Sequence, residues 1–270
     1  MTTQRNNGQH ELPLDRDRIV GELRAAGCVF AEEEADLLLA EAEDASHLGG
    51  MLADRVAGTP LEHVLGWTEF AGLRILVDRG VFVPRQRTRL LARQAAALAS
   101  AGDVVVDLCC GSGAVGAAIA ASVPGIDLHA ADLEPAAVRI ARRNLEPLGA
   151  HVHEGDLYAA LPPAIRGRVR VLAVNAPYVP TGEIGRMPPE ARDHEPLLAL
   201  DGGEDGLDVH RGVAADARIW LVAGGSVVIE ASRDQAPVTA ALFERQGMAV
   251  RVVTDDDLDA TVVVATAPAS

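Results

Sequence analysis

Residues 104–116 read VVVDLCCGSGAVG. The apolar run at 104–108 predicts a buried strand, and the small residues from Ala114 onward predict the start of a helix. Between them, the glycines at 111 and 113 predict a tight turn. A turn of this kind brings backbone N–H groups at a helix N-terminus close to a bound ligand. The segment therefore predicts a strand–turn–helix unit of an α/β domain, with a binding site at the turn.

Strand and helix patterns alternate from this turn to the end of the chain. We predict strands at 104–108, 126–131, 151–154, 169–174, 226–230, 249–253 and 261–265, and helices at 90–98, 114–122, 135–145, 209–221 and 238–246. Such alternation implies a mostly parallel, seven-stranded sheet with helices on both faces, a Rossmann-like α/β fold. The loop at 254–260 is too short for a crossover helix, so we expect the last two strands to be antiparallel at the sheet edge.

The N-terminal part of the chain has a different pattern. Residues 1–13 are polar and unpatterned, and we expect a disordered tail there. From 14 to 59, apolar residues recur at helical spacing, which predicts a small module of three or so helices. Its acidic run at 32–34 is interpreted as a solvated helix face, because no spaced His or Cys accompanies it. Residues 60–84 alternate in polarity and predict a β-hairpin that links this module to the main domain at 85–270.

Composition excludes several functional classes. All 24 basic residues are arginine, so Schiff-base lysine chemistry and the phosphate-binding lysine of a P-loop are excluded. A net charge of −15 disfavours a protein that follows a phosphate backbone. Cys28, Cys109 and Cys110 form neither a disulfide framework nor a spaced metal site, and we expect no metal. No apolar run approaches the roughly 18 residues of a membrane span, so we expect a cytoplasmic protein without a membrane partner.

Asp107 indicates which ligand the turn binds. The letters GSGAVG match the dinucleotide fingerprint, and Asp132 ends the next predicted strand, so the turn alone fits a nicotinamide dinucleotide as well as S-adenosylmethionine. An acid at the strand end would repel a pyrophosphate and attract the ammonium group of a methionine moiety. Asp132 suits ribose hydroxyls with either ligand. Asp156 either accepts a hydrogen bond from an adenine amine or caps a helix.

A second feature is the loop NAPYVP that follows the predicted strand at 169–174. Asn175 carries a carboxamide oxygen, and Pro177 favours an extended conformation that points the Ala176 carbonyl out of the turn. Tyr178 adds an aromatic face. Two oxygens that converge on an NH2 group would hold a planar nitrogen and stabilise the positive charge that develops on it during alkylation. The candidate catalytic residues are therefore Asn175, Ala176, Pro177 and Tyr178.

With these features in this order, the chain resembles the class I methyltransferases that modify planar nitrogens. More specifically, it is similar to the protein-(glutamine-N5) methyltransferases of translation release factors, the HemK/PrmC type. Further family-like segments are PLEHVLG at 60–66, VPR at 83–85 and LDGGEDGL at 200–207. The resemblance implies S-adenosylmethionine as cofactor and, as methyl acceptor, a glutamine amide in a release factor or ribosomal protein, with no direct nucleic-acid partner. It also implies that the helical module and hairpin help to shape the glutamine site.

The resemblance implies two sets of contacts, which we carry over as expectations. The cofactor set consists of Asp107, Cys109, Gly111, Ser112, Gly113, Asp132, Leu133, Asp156, Leu157 and Asn175. The substrate set consists of Arg85, Thr88, Asn175, Tyr178, Glu195 and Pro196. We expect the protein to be a monomer.

Three segments depart from the family pattern. The family's Asn-Pro-Pro-Tyr is NAPY at 175–178, its Arg-Pro-x-Thr-Glu is RQRTR at 85–89, and its Gly-Thr-Gly-Ser-Gly is CCGSG at 109–113. The first change should be mild because the carbonyl at 176 remains. The second puts Arg89 where the family has a glutamate, which reverses a charge next to the expected site and indicates a divergent paralogue. N6-adenine or N2-guanine methylation of nucleic acid, a non-catalytic cofactor-binding homologue and a nicotinamide oxidoreductase remain as alternatives.

Overall fold

The computed structural model describes residues 15–269. It divides into two compact units, with the boundary between Leu65 and Gly66. The tail expected at 1–13 lies outside the described residues. Within residues 15–269, no helix is both long enough and apolar enough to cross a membrane.

The first unit is helical. Helices α1 (Arg16–Ala25), α2 (Ala31–Glu41) and α3 (Ala45–Val56) are followed by the short α4 (Leu61–Leu65). Their apolar faces meet in one small core, in which Ile19, Leu23 and Leu38 are fully buried. Residues 61–65 thus form a helix, although the sequence pattern placed them in the hairpin segment, because their side chains pack against this core rather than in a sheet.

One residue of the acidic run at 32–34 is not solvated. Glu34 is 7% exposed and forms a two-pronged ion pair with Arg55, whose Nε and Nη2 lie 2.6 and 3.1 Å from its carboxylate oxygens. Arg55 also donates to the carbonyl of Thr59. The expectation of a solvated face is therefore wrong at Glu34, whereas Glu33 is exposed. The partner lies 21 residues away on another helix, beyond the reach of a local pattern.

The second unit begins with a β-hairpin and continues as an α/β domain. Its elements are β1 (Trp67–Phe70), β2 (Leu73–Leu76), α5 (Arg89–Ala96), β3 (Val104–Leu108), α6 (Ala114–Ser122), β4 (Asp127–Asp132), α7 (Pro135–Leu145), β5 (His151–Glu154), β6 (Val169–Val174), α8 (Pro189–His194), α9 (Asp208–Trp220), β7 (Leu221–Glu230), α10 (Ala236–Glu244), β8 (Ala249–Asp255) and β9 (Ala260–Thr266). The hairpin is a separate antiparallel pair.

The main sheet has seven strands in the order β5-β4-β3-β6-β7-β9-β8. Strands β3 to β7 run parallel, and β9 is antiparallel to both β7 and β8. This confirms the predicted fold, including the antiparallel edge. The chain order reverses between β3 and β6, and in open α/β sheets the crevice at such a switch point is where ligands bind.

Every residue of the central strand β3 is buried, which shows that the hydrophobic core covers both faces of this sheet. Val104, Val106 and Leu108 pack on one face with α9 and α10, while Val105 packs on the other face with α5 and α6. Strand alternation thus sends successive side chains into two separate hydrophobic cores.

The hairpin is fixed to the α/β domain by apolar packing and by one side-chain amide. Phe70 and Ile75 join the core that contains α5 and α6. The carboxamide of Asn144, on α7, accepts from the N–H of Leu76 at 3.0 Å and donates to the carbonyls of Leu76 and Ser112 at 2.9 and 2.8 Å. A single side chain therefore connects β2 to the glycine turn.

Candidate active site

A cavity of about 200 Å³ lies at the carboxyl ends of the central strands. Of the expected cofactor set, all residues except Gly113 line it. Of the expected substrate set, all except Glu195 line it, and so do the four residues of the 175–178 loop. The structure therefore brings the glycine turn and the loop into one cavity.

Gly113 has a packing role instead. Its φ is +81°, and a Cβ there would lie 2.7 Å from Leu145 Cδ1, so only glycine allows α6 to begin this close to α7. Gly116 is also constrained, because its N–H donates to Asp107 Oδ2 at 2.8 Å and a Cβ would lie 3.1 Å from the same oxygen. These glycines shape the turn, while Gly111 and Ser112 face the cavity.

Asp107 is a buried acid aimed at the cavity. It is 1% exposed, and its second oxygen, Oδ1, has no hydrogen-bond partner among residues 15–269. The pKa of Asp107 is raised to about 8, chiefly by burial and to a lesser degree by the neighbouring Asp132, while the hydrogen bond from the Gly116 N–H acts in the opposite direction. A cationic group bound at Oδ1 would favour the ionised carboxylate and offset the free-energy cost of burying its charge.

We expect the stability of the ligand-free protein to carry a pH signature of Asp107. The folded-state pKa of about 8 exceeds the ordinary value of 3.8, so the stabilising contribution is full below pH 3.8 and is lost as pH rises towards 8. Asp107→Asn keeps an acceptor for Gly116 and removes the titration. Between pH 6 and 7, urea unfolding should show wild type losing up to about 1.4 kcal/mol relative to the variant. Parallel pH curves for the two proteins would contradict this.

Asp132 and Asp156 stand at the ends of neighbouring strands. Asp132 Oδ2 accepts from the Gly111 N–H at 2.8 Å and Oδ1 accepts from the Glu134 N–H at 2.9 Å, while burial raises its pKa. Asp156 precedes a 3-10 helix at Leu157–Ala160, but its side chain makes no capping hydrogen bond. The helix-capping alternative is thus not realised, and the Asp156 carboxylate is left to the cavity.

Buried polar atoms without partners mark the cavity as a ligand site. Among residues 15–269, these include Thr88 Oγ1, Asp107 Oδ1 and Ser112 Oγ, and all three residues line the cavity. Buried polar groups are nearly always hydrogen-bonded, so each exception requires an explanation. A polar ligand bound in the cavity would satisfy them.

The loop at 175–178 presents two free acceptors. The half-buried Asn175 carboxamide and the Ala176 carbonyl form no hydrogen bond with other residues in 15–269. Both residues line the cavity. The two groups predicted to hold a planar nitrogen thus belong to residues of the cavity wall and have no partner among the described residues.

Neighbouring segments hold this loop rigidly. The Tyr178 hydroxyl donates to Glu230 Oε1 at 3.0 Å, and the Tyr178 carbonyl accepts from Gln235 Nε2 at 2.9 Å. Val179 exchanges backbone hydrogen bonds with Leu200 and Gly202 at 3.0 and 2.9 Å. Burial and Glu230 raise the pKa of Tyr178, so its hydroxyl stays protonated and serves as a donor.

Sequence reasoning missed Glu230 and Gln235. Glu230 is 2% exposed at the end of β7, and the β6–β7 register places Ile229 beside Val174. The sequence signal that could have identified Glu230 was an acidic residue at the carboxyl end of a predicted strand. Gln235 lies in the turn before α10 and had no such signal.

Two residues of the expected substrate set bind each other. Arg85 donates to both oxygens of Glu195 at 2.7 Å, and the Glu195 side chain is 1% exposed. The Val83 N–H also donates to Glu195, at 3.2 Å. Glu195 thus anchors the segment after α8 to the segment before α5.

Arg89 is not beside the cavity. It is exposed at the start of α5 and does not line the cavity, so the charge reversal there lies outside the cavity wall. Arg87 lines the cavity instead. Its Nε lies 3.3 Å from Glu230 Oε1, and its guanidinium carbon lies 5.9 Å from the centre of the Tyr178 ring. Arg87 lies within the short 3-10 turn at Gln86–Thr88, whereas Arg89 begins α5.

The sheet order, the switch-point cavity and its free acceptors define a class I methyltransferase. A family model described as the methyltransferase small domain matches residues 72–182. A methyltransferase structure from Pyrococcus furiosus has the same fold, with a TM-score of 0.56 at 16% identity over 73% of this chain and 90% of that one.

Two relatives in sequence identify the family within this class more specifically. A release factor glutamine methyltransferase from Streptomyces coelicolor is 41% identical over 74% of this chain and 72% of its own length. A 4-amino-L-phenylalanine/4-methylamino-L-phenylalanine methyltransferase from Streptomyces pristinaespiralis is 32% identical over 86% of both chains. The chain belongs to the release factor glutamine methyltransferase family, and it is an enzyme of the methyltransferase class.

Proposed function

We propose that this protein transfers a methyl group from S-adenosylmethionine to the side-chain amide nitrogen of a glutamine in a translation release factor. The observation that carries the proposal is the pair of free acceptors at Asn175 and Ala176, in the same cavity as Asp107 and the glycine turn. The relatives named as release factor glutamine methyltransferases support the choice of acceptor.

S-adenosylmethionine supplies an electrophilic methyl group when it is bound. Asp107 Oδ1 would accept from its ammonium group, and Asp132 and Asp156 offer carboxylate oxygens to the ribose hydroxyls and the adenine amine. Gly111 and Ser112 lie at the turn before α6, where small residues allow a close approach.

An amide nitrogen is a weak nucleophile because its lone pair is delocalised. The Asn175 oxygen and the Ala176 carbonyl would each accept a hydrogen bond from the substrate NH2, which fixes the nitrogen in line for attack. As positive charge grows on nitrogen, these two hydrogen bonds would strengthen, so they would stabilise the transition state more than the ground state. One of the two NH2 protons would then pass to solvent, which restores a neutral amide. Tyr178 and Gln235 keep the acceptors in place.

A second candidate acceptor is the aromatic amine of a free amino acid. The Streptomyces pristinaespiralis relative is named for such a substrate. Arg87 adds a reason within the site, because a free amino acid carries a carboxylate that a glutamine within a protein lacks, and Arg87 lines the cavity, where it also pairs with Glu230. The same two acceptors suit an aromatic NH2 group.

The test offers labelled S-adenosylmethionine to the enzyme with a purified release factor, with 4-amino-L-phenylalanine, or with total nucleic acid, each alone and in competition. Mass spectrometry then locates the label. We expect methylation of a release-factor glutamine, with the highest kcat/KM of the three. Label found only on the free amino acid would replace the proposal with the second candidate, and nuclease-sensitive label would replace both.

A further inference from the structure

Three histidines and an aspartate cluster on β4 and β5. His129 is buried, whereas Asp127 and His151 are exposed, and one side-chain donor atom from each of these three residues lies within 4.8 Å of the other two. His129 Nε2 and His151 Nε2 lie 3.4 and 4.0 Å from the same oxygen, Asp127 Oδ1. His153 lies on the same face of β5.

These distances are close to those of a metal site. Two nitrogen or oxygen ligands of a tetrahedral zinc ion, bound at about 2.05 Å, lie about 3.3 Å apart. The pair of His129 and Asp127 already has this spacing. The remaining separations are no more than 4.8 Å, and the side chains of His151 and Asp127 are exposed, whereas buried His129 provides a fixed point.

The fourth residue fixes the orientation of His129. His129 Nδ1 lies 2.9 Å from His153 Nε2, a hydrogen-bond distance. When Nδ1 carries the proton and donates it to His153, the lone pair of His129 is on Nε2, the nitrogen that faces Asp127. A ligating histidine nearly always donates its other ring N–H to a hydrogen-bond acceptor, and His153 Nε2 would be that acceptor here.

We propose that Asp127, His129 and His151 form a binding site for a divalent transition-metal ion of the zinc class, with His153 as the positioning residue. Two imidazole ligands suit zinc, nickel and copper, whereas magnesium and calcium prefer sites made only of oxygen ligands. The bound ion would join β4 to the edge strand β5, leaving at least one coordination position to water.

The site is separate from the methyl-transfer cavity. Asp127 and Asp132 stand at opposite ends of β4, about 17 Å apart for an extended strand. None of the four residues of the cluster lines the cavity. The proposal is therefore independent of the acceptor that the enzyme methylates.

The test is isothermal titration of the full-length, chelator-treated protein with zinc chloride. We expect one tightly bound ion per chain. Asp127→Asn and His151→Ala should each weaken binding at least tenfold, and His153→Asn should weaken it roughly 10–100-fold. His47→Ala removes an exposed histidine elsewhere and should bind as wild type does. Methyl transfer by His151→Ala should be unchanged.

A spectroscopic measurement on wild type avoids dependence on variants that fail to fold. On addition of zinc, the Nε2 nitrogen resonances of His129 and His151 should shift, and that of His47 should not. Zinc that binds equally to wild type, Asp127→Asn and His151→Ala, for example through the cysteines, would overturn the proposal. An absence of zinc binding by wild type, or unshifted His129 and His151 resonances, would do the same.

Discussion

Asn175→Ala should lose methyl transfer and keep cofactor affinity. The Asn175 oxygen accepts from a nitrogen that becomes positively charged, and a hydrogen bond to a charged group contributes about 1.5–3 kcal/mol. The expected loss in kcat is therefore roughly ten- to a hundredfold. The side chain has no partner among residues 15–269, so its removal leaves no protein group unsatisfied. Turnover with saturating substrates and calorimetric titration with S-adenosylmethionine measure the two quantities.

A conservative variant separates chemistry from structure at the same position. Asn175→Asp keeps an acceptor oxygen and should lose less activity than Asn175→Ala. If both variants lose cofactor affinity and turnover together, Asn175 shapes the cavity rather than holding the acceptor. If Asn175→Ala retains full turnover, the proposed stabilisation of the substrate NH2 group is wrong.

Arg55→Ala should destabilise the helical unit by about 3–5 kcal/mol. The Arg55 and Glu34 side chains are 9% and 10% exposed, so the variant would leave a buried carboxylate without its counter-charge. Hydrogen exchange at the amides of α1 to α3 in the full chain measures the local loss without assuming a single unfolding transition.

The matched control is an exposed pair in the same unit. Arg18 and Glu22 are 67% and 42% exposed, and Arg18→Ala should change the exchange free energies by no more than about 0.5 kcal/mol. Similar decreases in exchange free energy in the two variants would show that burial does not determine how much the Glu34–Arg55 pair stabilises the unit.

Local patterns identified most of the fold. The segments predicted at 135–145, 151–154 and 169–174 coincide with α7, β5 and β6, because their apolar periodicity and their bounding turns are all encoded locally. The alternation of these elements then implied a mostly parallel sheet. The strand order and its switch point were not predicted and come from the structure.

Partners distant in sequence were beyond the reach of the same reasoning. Arg85 and Glu195 were both expected to contact substrate, but they are 110 residues apart and pair with each other. Likewise, the sequence predicted that Arg89 lies next to the site, but Arg89 lies outside the cavity wall, and Arg87 lines the cavity instead. Which side chain of a short turn faces a cavity depends on packing that spacing does not encode.

The Asn144 carboxamide sets a limit on where this enzyme can be shortened. Asn144 forms two hydrogen bonds with the backbone of Leu76 and one with that of Ser112, so one side chain anchors both β2 and the glycine turn. A chain trimmed to begin at residue 85 would remove two of these bonds and expose the core surface now covered by Phe70 and Ile75. We therefore expect a stable α/β domain to require the hairpin, from about Gly66 onward, rather than to begin at residue 85.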